Sequence, residues 1–99
     1  MEYLNKETFE SFISNDSKVV VSFGAEWCGP CKAMMPLLER ASESQPERIA
    51  KLNVDQSPEI AAQFGIRSIP TILVFQGGKM IEKKVGAPSN EQELLEMLN

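Results

Sequence analysis

The chain has two cysteines and no histidine, and the cysteines fall three apart, in Cys28-Gly29-Pro30-Cys31. In the first turn of a helix, that spacing puts both side chains on one side, close enough for a disulfide after small adjustment. The loop closed by such a bond is too short to restrain much of the unfolded chain, so the bond is a weak staple. It suits a bond that is made and broken. Cys28, at the helix N-terminus, would lie among free N–H groups and the positive end of the helix dipole, which favour a thiolate. Cys31, one turn in, would be shielded by the helix and the strands beneath it.

These settings imply different roles. A Cys28 thiolate attacks a disulfide and forms a mixed disulfide, which Cys31 then resolves by attacking Cys28. Lys32 adds positive charge nearby, and Gly29-Pro30 leaves the approach to Cys28 open while limiting the conformations of the loop. Two inert buried cysteines that happen to lie three apart are the plain alternative. Trp27 immediately before the pair, and Pro30 at the start of the helix, weigh against it. A disulfide scaffold normally carries four or more cysteines. A closed zinc site needs four ligands, normally Cys and His, and here would have to recruit carboxylates.

The elements that must position this pair alternate between apolar strands and amphipathic helices. Asn5 is placed to cap a helix carrying Phe9, Phe12 and Ile13 on one face. Val19 to Phe23 is nearly continuous and β-branched, as in a strand covered on both sides. The Cys28–Cys31 segment opens a helix with Pro30 in its first turn, where a missing N–H costs nothing. That helix continues through Leu37, Leu38 and Ala41, with Pro36 expected to kink it.

Ile49 to Val54 reads as the next strand, and Ser57-Pro58-Glu59 starts a short helix ending near Gly65. Gly77-Gly78 between Thr71–Phe75 and Met80–Val85 signals a two-residue hairpin. Ser89 and Gln92 suggest a capping box before Leu94, Leu95 and Leu98. With Glu2–Leu4 as a short first strand, the order is β-α-β-α-β-α-β-β-α. The fold class is therefore α/β, a mixed sheet with helices on both faces in three layers. The order of strands in the sheet does not follow from the pattern.

Composition sets the outer limits. The length of 99 residues suits one domain, 1–99, and 42% apolar residues suffice for one core without a metal or a disulfide framework. The net charge is −4 and the lysines and arginines are scattered, which argues against nucleic acid as a partner. The first residues, Met1 to Glu7, lack the basic and apolar regions of a secretory signal. No stretch approaches the roughly 20 apolar residues of a membrane span. The expectation is a cytoplasmic protein away from membranes.

With these residues in view, the chain resembles the thioredoxin family. Ala25-Glu26-Trp27-Cys28-Gly29-Pro30-Cys31-Lys32 matches the family's active-site motif, and Pro36 its helix proline. Lys51 to Asp55 matches the central strand, Gly65 to Thr71 the cis-proline segment, and Gly77-Gly78 with Val85 to Ala87 the last hairpin and the loop after it. The resemblance implies a thioredoxin fold and protein-disulfide reduction, with Cys28 as nucleophile and Cys31 as resolving thiol. It implies Pro70 as a cis-proline facing the pair, supported by Gly29, Pro30 and Lys51. Trp27, Gly29, Pro30, Ile69, Gly86 and Ala87 would form an apolar docking patch for extended substrates. No cofactor is expected beyond the Cys28–Cys31 disulfide. The expected partners are a thioredoxin reductase and disulfide-containing proteins, the chain itself being a monomer.

Taken singly, Trp27 also suits a core, Pro70 a loop end, and Gly86 a turn. Asp55 reads as serving the turn before the next helix. One position departs from the resemblance in a way that bears on chemistry. Ser22 stands where the family usually places a buried aspartate that passes a proton to or from the resolving thiol and pairs with the lysine matching Lys51. Close by, Gly24 replaces a bulky aromatic. Serine has no acid–base function near neutral pH, so deprotonation of Cys31 falls to solvent or to the departing Cys28, and resolution is expected to be slower. Losing a buried carboxylate is expected to favour stability. Two other functions use the same surface. An oxidant or isomerase is disfavoured by Gly29-Pro30, and a binding module that uses the thiols only to control binding stays open.

Overall fold

A computed structural model describes residues 1–99. Its elements are β1 (Glu2–Leu4), α1 (Phe9–Ile13), β2 (Val19–Gly24), α2 (Gly29–Ser44), β3 (Ile49–Asn53), α3 (Pro58–Gln63), β4 (Thr71–Gln76), β5 (Lys79–Val85) and α4 (Glu91–Glu96). This is the order expected from the apolar pattern. The strands lie side by side as β1-β3-β2-β4-β5. β3 runs parallel to both β1 and β2, while β4 and β5 are antiparallel to their neighbours. Gly77 and Gly78 both take positive φ, 60° and 85°, as the two-residue turn joining β4 to β5 requires.

β2 is buried at all six positions, which is why its β-branched run shows no alternation. Its two faces feed two separate cores. Val19, Val21 and Phe23 join Phe9, Ile13, Leu52, Ile60, Leu73 and Phe75 on the side of α1 and α3. Val20 joins Met34, Leu38, Ile49, Ile72, Val74 and Leu94 on the side of α2 and α4. Three layers result. In the first core the rings of Phe9, Phe64 and Phe75 pack mutually at centroid distances of 5.2–5.7 Å. Phe9 and Phe75 are fully buried and Phe64 partly so, and full burial of such a ring stabilises the fold by about 1.5–3 kcal/mol.

Two caps differ from expectation. Asn5 Oδ1 accepts from the N–H groups of Glu7 and Thr8 at 2.9 and 3.0 Å, so it closes the turn leading into α1 rather than the helix itself. At α4 the box lies one residue later than Ser89/Gln92. Asn90 Oδ1 accepts from the Glu93 N–H at 3.0 Å, and Glu93 Oε2 accepts from the Ser89 N–H at 2.9 Å. The shift has a simple cause: Ser89-Asn90 and Gln92-Glu93 offer two overlapping boxes, and Asn90 is as good a cap as serine. α2 runs unbroken across Pro36. No helix is long and apolar enough to cross a membrane.

Candidate active site

β2 ends at Gly24, and Cys28 follows after a three-residue turn as the N-cap of α2. Pro30 lies in the first turn of the helix, where no N–H is needed. Cys28 and Cys31 are joined as a disulfide, with Cα atoms 5.2 Å apart. The Cys31 N–H donates to Cys28 Sγ at 3.2 Å. A sulfur thus takes the place of the oxygen that usually caps a helix, and in the reduced chain this N–H favours a thiolate at Cys28.

Exposure does not separate the two sulfurs, because Cys28 is 4% exposed and Cys31 2%. Surroundings do. Gly29 and Pro30 are exposed, and a Cβ added to Gly29 would touch nothing within 4 Å. On its other side, Cys28 Sγ lies 3.8 Å from the carbonyl oxygen of Ile69. The Ile69–Pro70 bond is cis. The register explains how this distant segment arrives here. Phe23 in β2 is paired with Thr71 in β4, so Pro70 comes level with the end of β2, where the disulfide turn begins. Thr71 Oγ1 donates to the Ser68 carbonyl at 2.6 Å, and the Gly86 N–H donates to the Pro70 carbonyl at 2.8 Å. The first bond closes the cis segment on itself, and the second ties it to the loop that follows β5.

The expected docking residues share this end of the sheet. Trp27 is 69% exposed, which removes the core reading for it. With Val54, Ala61, Ile66, Arg67 and Ile69 it walls a shallow notch of about 150 Å³. Gly86 is held beside Pro70, and Ala87 follows it as an exposed residue. Asp55 is a residue whose part the sequence did not reveal. Its Oδ2 accepts from the Trp27 indole N–H at 2.7 Å, while the turn before α3 is closed by Asn53 Oδ1. Asn53 two residues before Asp55 is an ordinary Asx-turn signal, and it frees the aspartate for another partner.

Ser22 and Lys51 are cross-strand partners in β2 and β3. The Ser22 side chain is buried and its Oγ makes no hydrogen bond. Burial pulls the Lys51 pKa below its ordinary value of 10.5, against the Glu26 carboxylate, which favours the charged form. Between the lowered value and 10.5 the unfolded chain binds the extra proton, so stability climbs with pH in that window. The penalty on the half-buried ammonium is fully felt below it. Lys51→Met is therefore expected to melt above the native chain at neutral pH, with the gain shrinking as pH approaches 10.5. Thermal unfolding of both chains across that range checks it; a constant difference would contradict it. No three or more Cys, His, Asp or Glu side chains are gathered closely enough to hold a metal ion.

The Thioredoxin family model matches residues 1–99. A thioredoxin of Alicyclobacillus acidocaldarius subsp. acidocaldarius is 44% identical over 91 residues, covering 90% of this chain and 87% of the relative. One of Mycoplasmoides gallisepticum is 45% identical over 94 residues, covering 92% and 94%. Among solved structures, a thioredoxin of Malassezia sympodialis superposes with a TM-score of 0.85 at 31% identity, covering 99% of this chain and 87% of that one.

Proposed function

Because this chain belongs to the thioredoxin family, we propose a division of labour between its two thiols. It is a thiol–disulfide oxidoreductase with protein-disulfide reductase activity, and its redox-active group is the Cys28–Cys31 pair. Cys28 is the nucleophile. Its thiolate bonds to one sulfur of a substrate disulfide and displaces the other, which leaves as a thiolate and takes a proton from solvent. Cys31 then bonds to Cys28, the Cys28–substrate bond breaks, and the second substrate sulfur leaves. The substrate gains two electrons and two protons while the Cys28–Cys31 dithiol becomes the disulfide.

The observation that carries this assignment is the cap. Cys28 Sγ accepts the Cys31 N–H at 3.2 Å at the start of α2, a setting that stabilises negative charge on Cys28. Substrate docks on Trp27, Gly29, Pro30, Ile69, Gly86 and Ala87, with Pro70 holding the Ile69 carbonyl toward Cys28. A flavin-dependent thioredoxin reductase returns the electrons. The protein works as a monomer in the cytoplasm, a compartment that keeps such dithiols reduced.

The test is reduction of a model disulfide protein in the presence of a thioredoxin reductase. The native chain is expected to turn over and Cys28→Ser to be inactive. A native chain that binds the substrate without reducing it would sink the reductase reading.

A further inference from the structure

Across the sheet Tyr3 of β1, Lys51 of β3 and Ser22 of β2 stand in one row as cross-strand partners. Val20 and Ile49, two residues earlier on their strands, belong to the core under α2, so this row faces α2 as well. Beneath the middle of α2 that face is filled by Met34, Leu38 and Ala41. Toward β1 and β3 it is not. There a cavity of about 290 Å³ opens, with Tyr3, Lys51 and Asn53 from the sheet, Lys32 and Met35 from α2, and Glu26 in its wall.

Gly24 explains why a charge stands so far inside this wall. It lies two residues beyond Ser22, hence on the same side of β2. A Cβ built on it would stand 3.4 Å from Lys51 Nζ and 3.0 Å from Cys31 Sγ. With no side chain there, the ammonium lies inward over β2 instead of reaching out to solvent. It belongs to neither of the two salt bridges of the chain. Glu26 attracts it only from a distance, burial weighs against its charge, and the Ser22 hydroxyl beside it is unpartnered too. Groups withdrawn from water in this way ordinarily have a partner, and an anion in the cavity would be one.

We propose that the cavity binds a small monocarboxylate with an apolar body, its carboxylate on Lys51 and its body between Tyr3 and Met35. The site is separate from the disulfide face, where Trp27 and Ile69 wall their own notch. Ligand pockets begin at about 300 Å³, so the size suits a small molecule and not a peptide.

Each group in the wall narrows the ligand's chemistry. The ammonium groups of Lys32 and Lys51 against the one carboxylate of Glu26 leave a single positive charge, which matches a single negative one. A second negative charge would be repelled by Glu26, which disfavours phosphate and dicarboxylates. Asn53 Oδ1 is committed to the turn before α3, so its amide NH2 remains to donate to a carboxylate oxygen. The Tyr3 ring is exposed and the Met35 thioether half-buried, and both are surfaces on which an aromatic ring packs well. An arylalkanoate meets all of these demands.

The test is a titration of the oxidised chain with 4-fluorophenylacetate, followed by the fluorine resonance and by backbone amide shifts. Saturable binding is expected, with the largest amide shifts at Tyr3, Met35, Lys51 and Asn53. 4-Fluorophenylacetamide has the same shape without the charge and should bind about tenfold more weakly. The acid should lose about as much on Lys51→Gln. Failure to saturate by about 10 mM overturns the proposal. So does equal binding of the amide, a Lys51→Gln chain that binds like the native one, or inorganic phosphate that binds as tightly as the acid. Largest shifts at Trp27 and Ile69 would put the probe on the disulfide face and overturn it too. The amide comparison needs only the native chain, so the test stands even if Lys51→Gln does not fold. No thiol takes part, so the outcome is separate from a failure of the native chain to reduce disulfides.

Discussion

Cys31→Ser is expected to leave the chain covalently joined to its substrate. Cys28 retains its cap position and its attack, so the mixed disulfide forms, but no neighbouring thiol remains to break it. Turnover should fall by orders of magnitude, roughly 10³-fold or more, because release then waits for an outside thiol at far lower effective concentration. Intact mass under non-reducing conditions should show one substrate per chain in Cys31→Ser and none in Cys28→Ser. The reverse pattern would exchange the two roles. The experiment is informative because burial alone gives no answer: the sulfurs are 4% and 2% exposed, and only the capping geometry and the Ile69 contact tell them apart.

Phe75→Ala should carry the largest cost to stability. The ring is fully buried in β4 and packs against Phe9 and Phe64 in the core on the α1 and α3 side. Removing such a ring costs about 3–5 kcal/mol, transfer and cavity terms together. A small domain has only about 5–15 kcal/mol in all, so the variant should unfold at much lower denaturant, with the slope of the transition unchanged. The disulfide belongs to a different cluster, with Ala25, Val54 and Ile69. Below its melting temperature the variant should therefore still reduce disulfides. A loss under about 1 kcal/mol would mean that this core repacks around the gap.

Much of this arrangement was legible in the order of residues. Apolar runs together with turn and cap signals marked eight of the nine elements, and Glu2–Leu4 entered only as a condition on their order. The Gly77-Gly78 turn was equally plain, since two adjacent positive φ angles leave few other choices. The unread features depend on register, which local pattern does not encode. Nothing local says that β3 inserts between β1 and β2, and that insertion is what sets Lys51 beside Ser22. The Trp27–Asp55 bond spans 28 positions and follows from the same β2–β3 pairing. Gly24 read as a missing aromatic; its use as a point of close approach became visible only once Cys31 and Lys51 were both in place.

The far margin of the sheet bears on life at high concentration. β5 has one neighbour only, and four of its residues are Lys79, Glu82, Lys83 and Lys84. Its pairing with β4 is broken by a bulge at Val74/Phe75. Bare strand margins invite other chains to add on and spread into aggregates, and charges and bulges are what deter them. At this margin the charges and the bulge leave an approaching extended chain no smooth ladder to join, so β5 resists the strand addition that would seed a fibre.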